Sequence, residues 1–542
     1  MTLIATELPS LKEQPKHVSH PAGHVHRLPR FHYPPAFLHS PVTRLPPETL
    51  AYIFEFYVIC GIELTPISVS AQGPFCLAKV CKLWRAIVES NPRLWTSIQV
   101  YFPDSHRSRE EDVPRVKPLL DLHLKQSGIL PISLTFTDHR IYHSATEDLI
   151  TLLVDRLRTH ARRWKRISLQ LSCSYFPLLF TFTPCDLSSL EHLHISGDVV
   201  AQRIVTTLRL NLESATKLKS FTYSGPGRSV DDEIHLHWEN LVEVSFEFVP
   251  HNGPSSTLSR QFRHLAQCQN ITACSLGIDR PFWPGLNGSQ TITLPCLQML
   301  RVRRLSTDSH ARTAIDPLIL PQLRTLEVDA SSLVGWNERW HERAFSDLLA
   351  RSGCSLHHLS IQDVDFPNHE LVRCLALSHE LTSFRFIPCP RSQNIGDIIR
   401  KLDVSRTVAG GQIRTNGHRQ GRVANGDPLI PRLREVTLAS SIEEYLDLMM
   451  EMFRSRVGAR THAAGVATLR RAEVVFFDMS HDTDMDRVSV PEARLGRLAS
   501  SRAERLARWV SENKNGNERD DDSLVASVVI DSPYLAEYID VR

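Results

Sequence analysis

The chain has no C-x-x-C pair, no long apolar run and almost no excess of either charge. Its 11 cysteines are scattered, which argues against a zinc knuckle, and most sit inside apolar patterns where a free thiol behaves as a small core residue. An odd cysteine count suits a reducing compartment. No stretch reaches the roughly 18 apolar residues a membrane helix needs, and the run after Met1 is too short for a signal peptide, so no membrane is expected as a partner. With 62 basic and 60 acidic residues, the chain lacks the basic excess of a phosphate-backbone binder, and no nucleic acid is expected either. Chemistry-bearing motifs are missing too. There is no phosphate-binding G-x-x-x-x-G-K-[ST] loop, no G-x-G-x-x-G, no H-E-x-x-H and no G-x-S-x-G elbow. His357-His358 would point to opposite faces of a strand and cannot readily share an ion. The expectation is therefore a non-enzymatic protein of the cytoplasm or nucleus, with no catalytic residues, metal or cofactor.

What is present is length and pattern. At 542 residues, 42% hydrophobic and 23% charged, the chain is globular in composition and long enough for several domains or one repeat array. Residues 1–42 hold seven prolines and six histidines without periodicity and read as a disordered arm. Order is expected from Leu45-Pro46-Pro47-Glu48, where paired prolines suit a first helical turn. Leu50, Ile53, Phe54 and Tyr57 then fall on one helix face. After a stretch punctuated by Gly61, Pro66, Gly73 and Pro74, a second helix is expected. Its stripe is Leu77, Val80, Cys81, Trp84, Ile87 and Val88, closed by Asn91-Pro92. Leu94-Trp95 leads into the alternation Ile98, Val100. These residues define a helical module over 43–100, followed by a linker over 101–160 that leads into the next region.

From 161 to 402 another period takes over: apolar-x-x-apolar-x-apolar. Eight copies run from Leu190/Leu193/Ile195 to Leu381/Phe384/Phe386 at a mean spacing of roughly 27 residues, inside the ~20–29 window of leucine-rich repeats. Trp164/Ile167/Leu169 precedes them. The alternating triplet closing each copy predicts a short strand, and helical stretches such as 345–349 and 371–377 lie between copies. Strand plus helix per unit is the pattern of a stacked solenoid. Residues 403–428 hold five glycines and few apolar side chains and read as a flexible insertion. Over 429–542 two further copies, Leu433/Val436/Leu438 and Leu469/Ala472/Val474, are followed by a charged helical stretch at 495–509. The fold class expected is mixed α/β: a small helical module, then an irregular leucine-rich-repeat-like solenoid with a C-terminal cap.

The module resembles an F-box of the divergent fungal type. The resemblance rests on Leu45-Pro46-Pro47-Glu48, Leu50 and Ile53-Phe54, then Val80-Cys81 with Trp84-Arg85 and Ile87, then Asn91-Pro92 with Leu94-Trp95 and Ile98. It covers about 55 residues. It implies docking to a Skp-type adaptor, and through it to a cullin–RING ubiquitin ligase. The residues it implicates are Leu45, Pro46, Leu50, Ile53, Phe54, Leu77, Val80, Cys81, Trp84, Ile87, Leu94 and Trp95. The body would then hold a target protein. The middle residues of the triplets, which alternation turns away from the core, are the candidate contacts: His194, Thr222, Ser245, Arg301, Glu327, Ser360 and Arg385. A repeat scaffold with no ligase link is the alternative that the pattern allows.

Overall fold

A computed structural model describes residues 42, 45–59, 63–64, 73–102, 112–138, 147–172, 187–198, 209–226, 233–249, 262–277, 291–303, 315–329, 343–364, 366–388, 395–405, 429–440, 444–456, 466–477, 525–532 and 535–541. The Pro/His-rich arm before residue 42, the insertion beyond residue 405 and the charged stretch 495–509 lie outside them.

The chain divides into two compact units, 1–53 and 54–542, and the boundary falls inside the first helix, α1 (Pro47–Ile59). Among the described residues the further α-helices of seven residues or more are α2 (Gly73–Val80), α3 (Lys82–Ser90), α4 (Asp112–Gln126), α5 (Glu147–Arg158), α6 (Ala344–Ser352), α7 (Asn368–Leu377), α8 (Gly396–Leu402) and α9 (Glu444–Ser455). The strands of the first half are β1 (Glu63–Leu64), β2 (Ser97–Phe102), β3 (Ile132–Asp138), β4 (Trp164–Ser172), β5 (His192–Asp198), β6 (Arg209–Asn211), β7 (Ser220–Pro226), β8 (Glu233–His235), β9 (Glu243–Val249) and β10 (Ala273–Gly277). Those of the second half are β11 (Ile292–Thr293), β12 (Met299–Arg303), β13 (Leu318–Ile319), β14 (Thr325–Asp329), β15 (His358–Val364), β16 (Ser383–Pro388), β17 (Glu435–Ser440), β18 (Arg471–Phe477), β19 (Val525–Ser532) and β20 (Leu535–Val541).

Sixteen of these strands form one open sheet, ordered β1-β2-β3-β4-β5-β7-β9-β10-β12-β14-β15-β16-β17-β18-β19-β20. Within this sheet the sixteen strands follow one another in chain order. Every pairing is parallel except that of β19 with β20. The fold is thus mixed α/β, with helices in the connections between parallel strands. Parallel neighbours require such a return segment, because a tight hairpin cannot join them.

The apolar motif explains the register. Its two closing positions form adjacent buried rows: Leu193, Phe221, Val244, Cys274, Leu300, Leu326, Leu359 and Phe384 in one, Ile195, Tyr223, Phe246, Leu276, Val302, Val328, Ile361 and Phe386 in the other. Burying one such side chain contributes roughly 1.5–3 kcal/mol, and a one-residue slip would turn its whole strand inside out. The leading apolar residue closes a tight turn onto the third residue before it, as Leu218 N–H does onto Ala215 and Leu323 N–H onto Leu320 at 3.1 and 3.2 Å. The residue after that leading position offers one carbonyl to two N–H groups of the next unit. Lys219 serves Val242 and Glu243 in this way, and Arg324 serves His357 and His358.

Two sequence expectations change here. First, the sheet starts before residue 161: β2 and β3 belong to it, so the stretch 101–160, expected as linker and entry to the repeats, already carries strands of the sheet. The copies Ile98/Val100 and Leu134/Phe136 lack the usual leading aliphatic residue, which hid them. Second, not every return segment is helical. Short strands stand there in four units, pairing β6 with β8 and β11 with β13. Their signal is alternation in Leu210/Leu212, Ile292/Leu294 and Leu318/Leu320, all buried.

Three arginines tie neighbouring units together, and no sequence pattern pointed to them. Arg163 donates to the carbonyls of Leu124 and Leu130 and to the Ser127 hydroxyl. Arg351 donates to the carbonyls of Ile315 and Leu318. Arg456, fully buried, spreads its guanidinium over the carbonyls of Leu402, Leu429 and Ile430 at 2.9, 2.8 and 3.0 Å. The rigid fork reaches several acceptors at once, which a lysine cannot do.

Candidate functional site

Two regions carry candidate contacts: the helices α1–α3 and the outward face of the sheet. In α1, Pro47 occupies the first turn and the Leu50 N–H bonds the Pro46 carbonyl at 3.0 Å. Leu50, Phe54 and Val58 are buried, whereas Ile53 and Tyr57 are exposed. The inner stripe is therefore i, i+4, i+8, and of the four residues that spacing groups on one face, Leu50 and Phe54 are buried while Ile53 and Tyr57 stay exposed. The expected single second helix is also two. Cys81 has an extended backbone (φ −157°), and its Sγ accepts the Trp84 N–H at 3.4 Å, capping α3 and separating it from α2. That break turns Val80 and Cys81 to solvent.

The twelve residues implicated by the resemblance thus divide. Leu50, Phe54, Leu77, Ile87, Leu94 and Trp95 are buried. The Trp95 indole N–H bonds the Val88 carbonyl at 2.9 Å, and Asn91 caps the following turn while its amide reaches Glu55 at 3.1 Å. Pro46, Ile53, Val80 and Cys81 are exposed; Leu45 and Trp84 are half-buried. Beyond these twelve, four more large apolar or aromatic side chains of these helices are exposed, of which the sequence pattern singles out Tyr57 alone. Tyr52, Phe56 and Tyr57 of α1 are exposed by 62, 58 and 51%, and Leu83 of α3 by 42%. The signal was a helix carrying apolar residues on both faces, not a single stripe.

Where the helices meet the sheet, His123 of α4 is fully buried between Phe75 and Trp95, at ring-centroid distances of 5.5 and 5.0 Å. Among the described residues neither ring nitrogen has a well-formed hydrogen bond, the Trp95 backbone offering only a weak one. Burial pushes its pKa down to about 4, offset slightly by the nearby Trp95 backbone.

On the outward face, the seven candidate target contacts occupy a single row. His194, Thr222 and Ser245 are successive register partners, Ser275 follows, and Arg301, Glu327, Ser360 and Arg385 continue it. His194 is exposed and the other six are half-buried. Thr437 and Glu473 extend the row, as the middle residues of the last two copies would suggest. Its charges are mutually engaged. Arg301 Nε donates to Glu327 at 2.5 Å, and Glu473 accepts from Thr437 at 2.8 Å and from Arg385 at 3.5 Å. Two residues further along three of these strands, Ile387, Ala439 and Val475 form a buried apolar cluster.

The buried thiols are core groups. Burial raises Cys268 to about 12 and Cys274 further, so neither is a thiolate near neutrality. Among the described residues no group of three or more His, Cys, Asp or Glu side chains could hold a metal ion, and no helix is long and apolar enough to cross a membrane. Compared with known proteins, the chain matches no family model and no curated protein.

Proposed function

We propose that the chain is a substrate-recruiting F-box subunit of a cullin–RING ubiquitin ligase. In this reading α1–α3 dock on a Skp-type adaptor and a leucine-rich-repeat-like solenoid captures a target protein. The observation that carries it is the exposure of Phe56, Tyr57, Val80 and Leu83 on helices whose core is already filled by Phe54, Leu77, Ile87 and Trp95. Apolar surface left in water costs about 25 cal/mol per Å², which a partner would recover. Exposed apolar side chains, where they form a contiguous patch, mark interaction sites.

The solenoid part of the reading draws on the strand order. Sixteen strands in chain order, each parallel to its predecessor up to β19, are what stacked strand-and-return units produce. An extended polar row such as that from His194 to Arg385 suits a polypeptide target. Function would then be proximity: holding target and ligase on one chain raises the effective concentration of target lysines near the transferred ubiquitin.

The test is co-purification of the full chain with a Skp-type adaptor, for wild type and for Tyr57→Glu/Val80→Asp. Both changes sit on exposed positions, so thermal melting should be little altered while adaptor recovery falls at least tenfold. Absence of wild-type binding, with target capture intact, would leave the scaffold reading in its place.

A further inference from the structure

The charge of the sheet's rim changes abruptly along its length. In each unit the rim is the residue whose carbonyl takes two N–H groups from the next unit, with the residue beside it. Over the earlier strands these rim residues are mixed: Lys165, Glu191, Lys219, Val242, Thr272 and Gln298, with Lys165 and Glu191 paired at 3.7 Å. From β14 onward they become Arg324, His357, Thr382, Arg434 and Arg470, linked carbonyl to N–H in that order. Arg471 adjoins Arg470, and Arg432 lies two residues before Arg434. Arg324, His357, Arg432, Arg434, Arg470 and Arg471 are all exposed. Five arginines therefore stand at the ends of three of these five neighbouring strands, β14, β17 and β18, with His357 and Thr382 at the two between; Glu380 and Glu435 are the acidic residues among them within the described residues.

We propose that this rim docks an acidic segment of a partner polypeptide. Neighbouring strands lie about 4.8 Å apart, so four steps from β14 to β18 span roughly 19 Å, the length of about six extended residues. Guanidinium groups match carboxylates in a planar, two-pronged geometry and suffer little from partial desolvation. A peptide fits the rim better than a nucleic acid does. Glu380 pairs with Arg432, and Glu435 faces Arg471 across the strands, so a uniform run of phosphates would meet carboxylates at two points. Of the named rim residues only His357 carries an aromatic ring, so the rim lacks the succession of stacking platforms on which unpaired bases lie. The inference goes beyond the ligase reading, because rim binding and adaptor binding are measured separately and either can fail alone.

The experiment uses the full chain with three fluorescent probes: a twelve-residue peptide alternating Glu and Ser, its Gln/Ser counterpart, and a single-stranded oligonucleotide of similar length. Binding is followed by anisotropy at low and at physiological salt. The acidic peptide should bind, weaken as salt rises, and lose at least tenfold in affinity in Arg434→Glu/Arg471→Glu. Lys165→Glu/Lys219→Glu, at the other end of the rim, should bind as wild type does. Should the first variant melt early, Arg434→Gln/Arg471→Gln serves, with a smaller loss expected. The proposal is overturned if the acidic peptide does not bind. It is equally overturned if the peptide binds both pairs of variants alike, or if the oligonucleotide binds more tightly and is the probe lost on reversal.

Discussion

The indole of Trp84 leans on the ring of Phe54, with centroids 4.7 Å apart and planes inclined at 57°. The contact joins α1 to α3 and keeps one side of Trp84 in solvent. A wholly buried tryptophan truncated to alanine typically costs ~3–5 kcal/mol. Half-buried Trp84→Ala should cost less, about 1–2 kcal/mol, while Trp84→Phe keeps the ring contact and most of the stability. Urea titration of the three proteins measures this. A loss as large as that for a fully buried ring would mean that Trp84 is more deeply packed than its exposure allows.

Arg301 and Glu327 sit opposite each other on β12 and β14 and share a 2.5 Å hydrogen bond. Arg301→Glu sets carboxylate against carboxylate on the outward face and should lower stability by about 1 kcal/mol, more than an ordinary surface change. Arg301→Glu/Glu327→Arg should recover most of that loss, which a double-mutant cycle reads directly. Arg385→Glu faces the largely buried Glu473 and should be worse. Capture experiments on this face therefore need the swapped pair as the folded control.

Arg456 satisfies three buried carbonyls from the segments around α8 and β17. Arg456→Met keeps the packing but strands those acceptors. It should destabilise the C-terminal units by about 3 kcal/mol, since breaking one side of a buried charged network leaves its partners unmet. Arg456→Lys should restore only part, because a single ammonium cannot reach the same fork of acceptors. Hydrogen exchange across 429–456 would show the loss; unchanged protection in the Met variant would count against the clamp.

His123 makes stability depend on acid. Its folded pKa of about 4 lies below the ordinary 6.5, so the native state binds fewer protons than the unfolded chain between those values. Its contribution is therefore complete above about pH 6.5 and declines as pH falls to about 4, by roughly 3 kcal/mol in all. His123→Phe, suited to the space between Phe75 and Trp95, should flatten that part of the profile. Unfolding free energies of both proteins at pH 7.5 and 4.5 test the sign and the size; parallel profiles would refute it.

The sequence by itself determined the strand register. Nine copies of a three-point apolar motif placed the inner rows, and the same alternation named His194, Thr222, Ser245, Arg301, Glu327, Ser360 and Arg385 as one outward line. It did so because side-chain direction in a strand follows from parity alone, which needs no knowledge of neighbours. It also set the start of α1 and the end of α3, where proline and asparagine act locally. Which apolar residues of α1–α3 turn inward was a tertiary decision. Leu50, Phe54 and Val58 won burial over Ile53 and Tyr57, and Cys81 broke a helix that periodicity would have continued. Tertiary structure alone also brought Arg456 onto carbonyls 26 to 54 residues away, Glu473 across to Arg385, and His123 between two aromatic rings. Such contacts depend on which segments meet in space, and a local pattern carries no information about a partner dozens of residues distant.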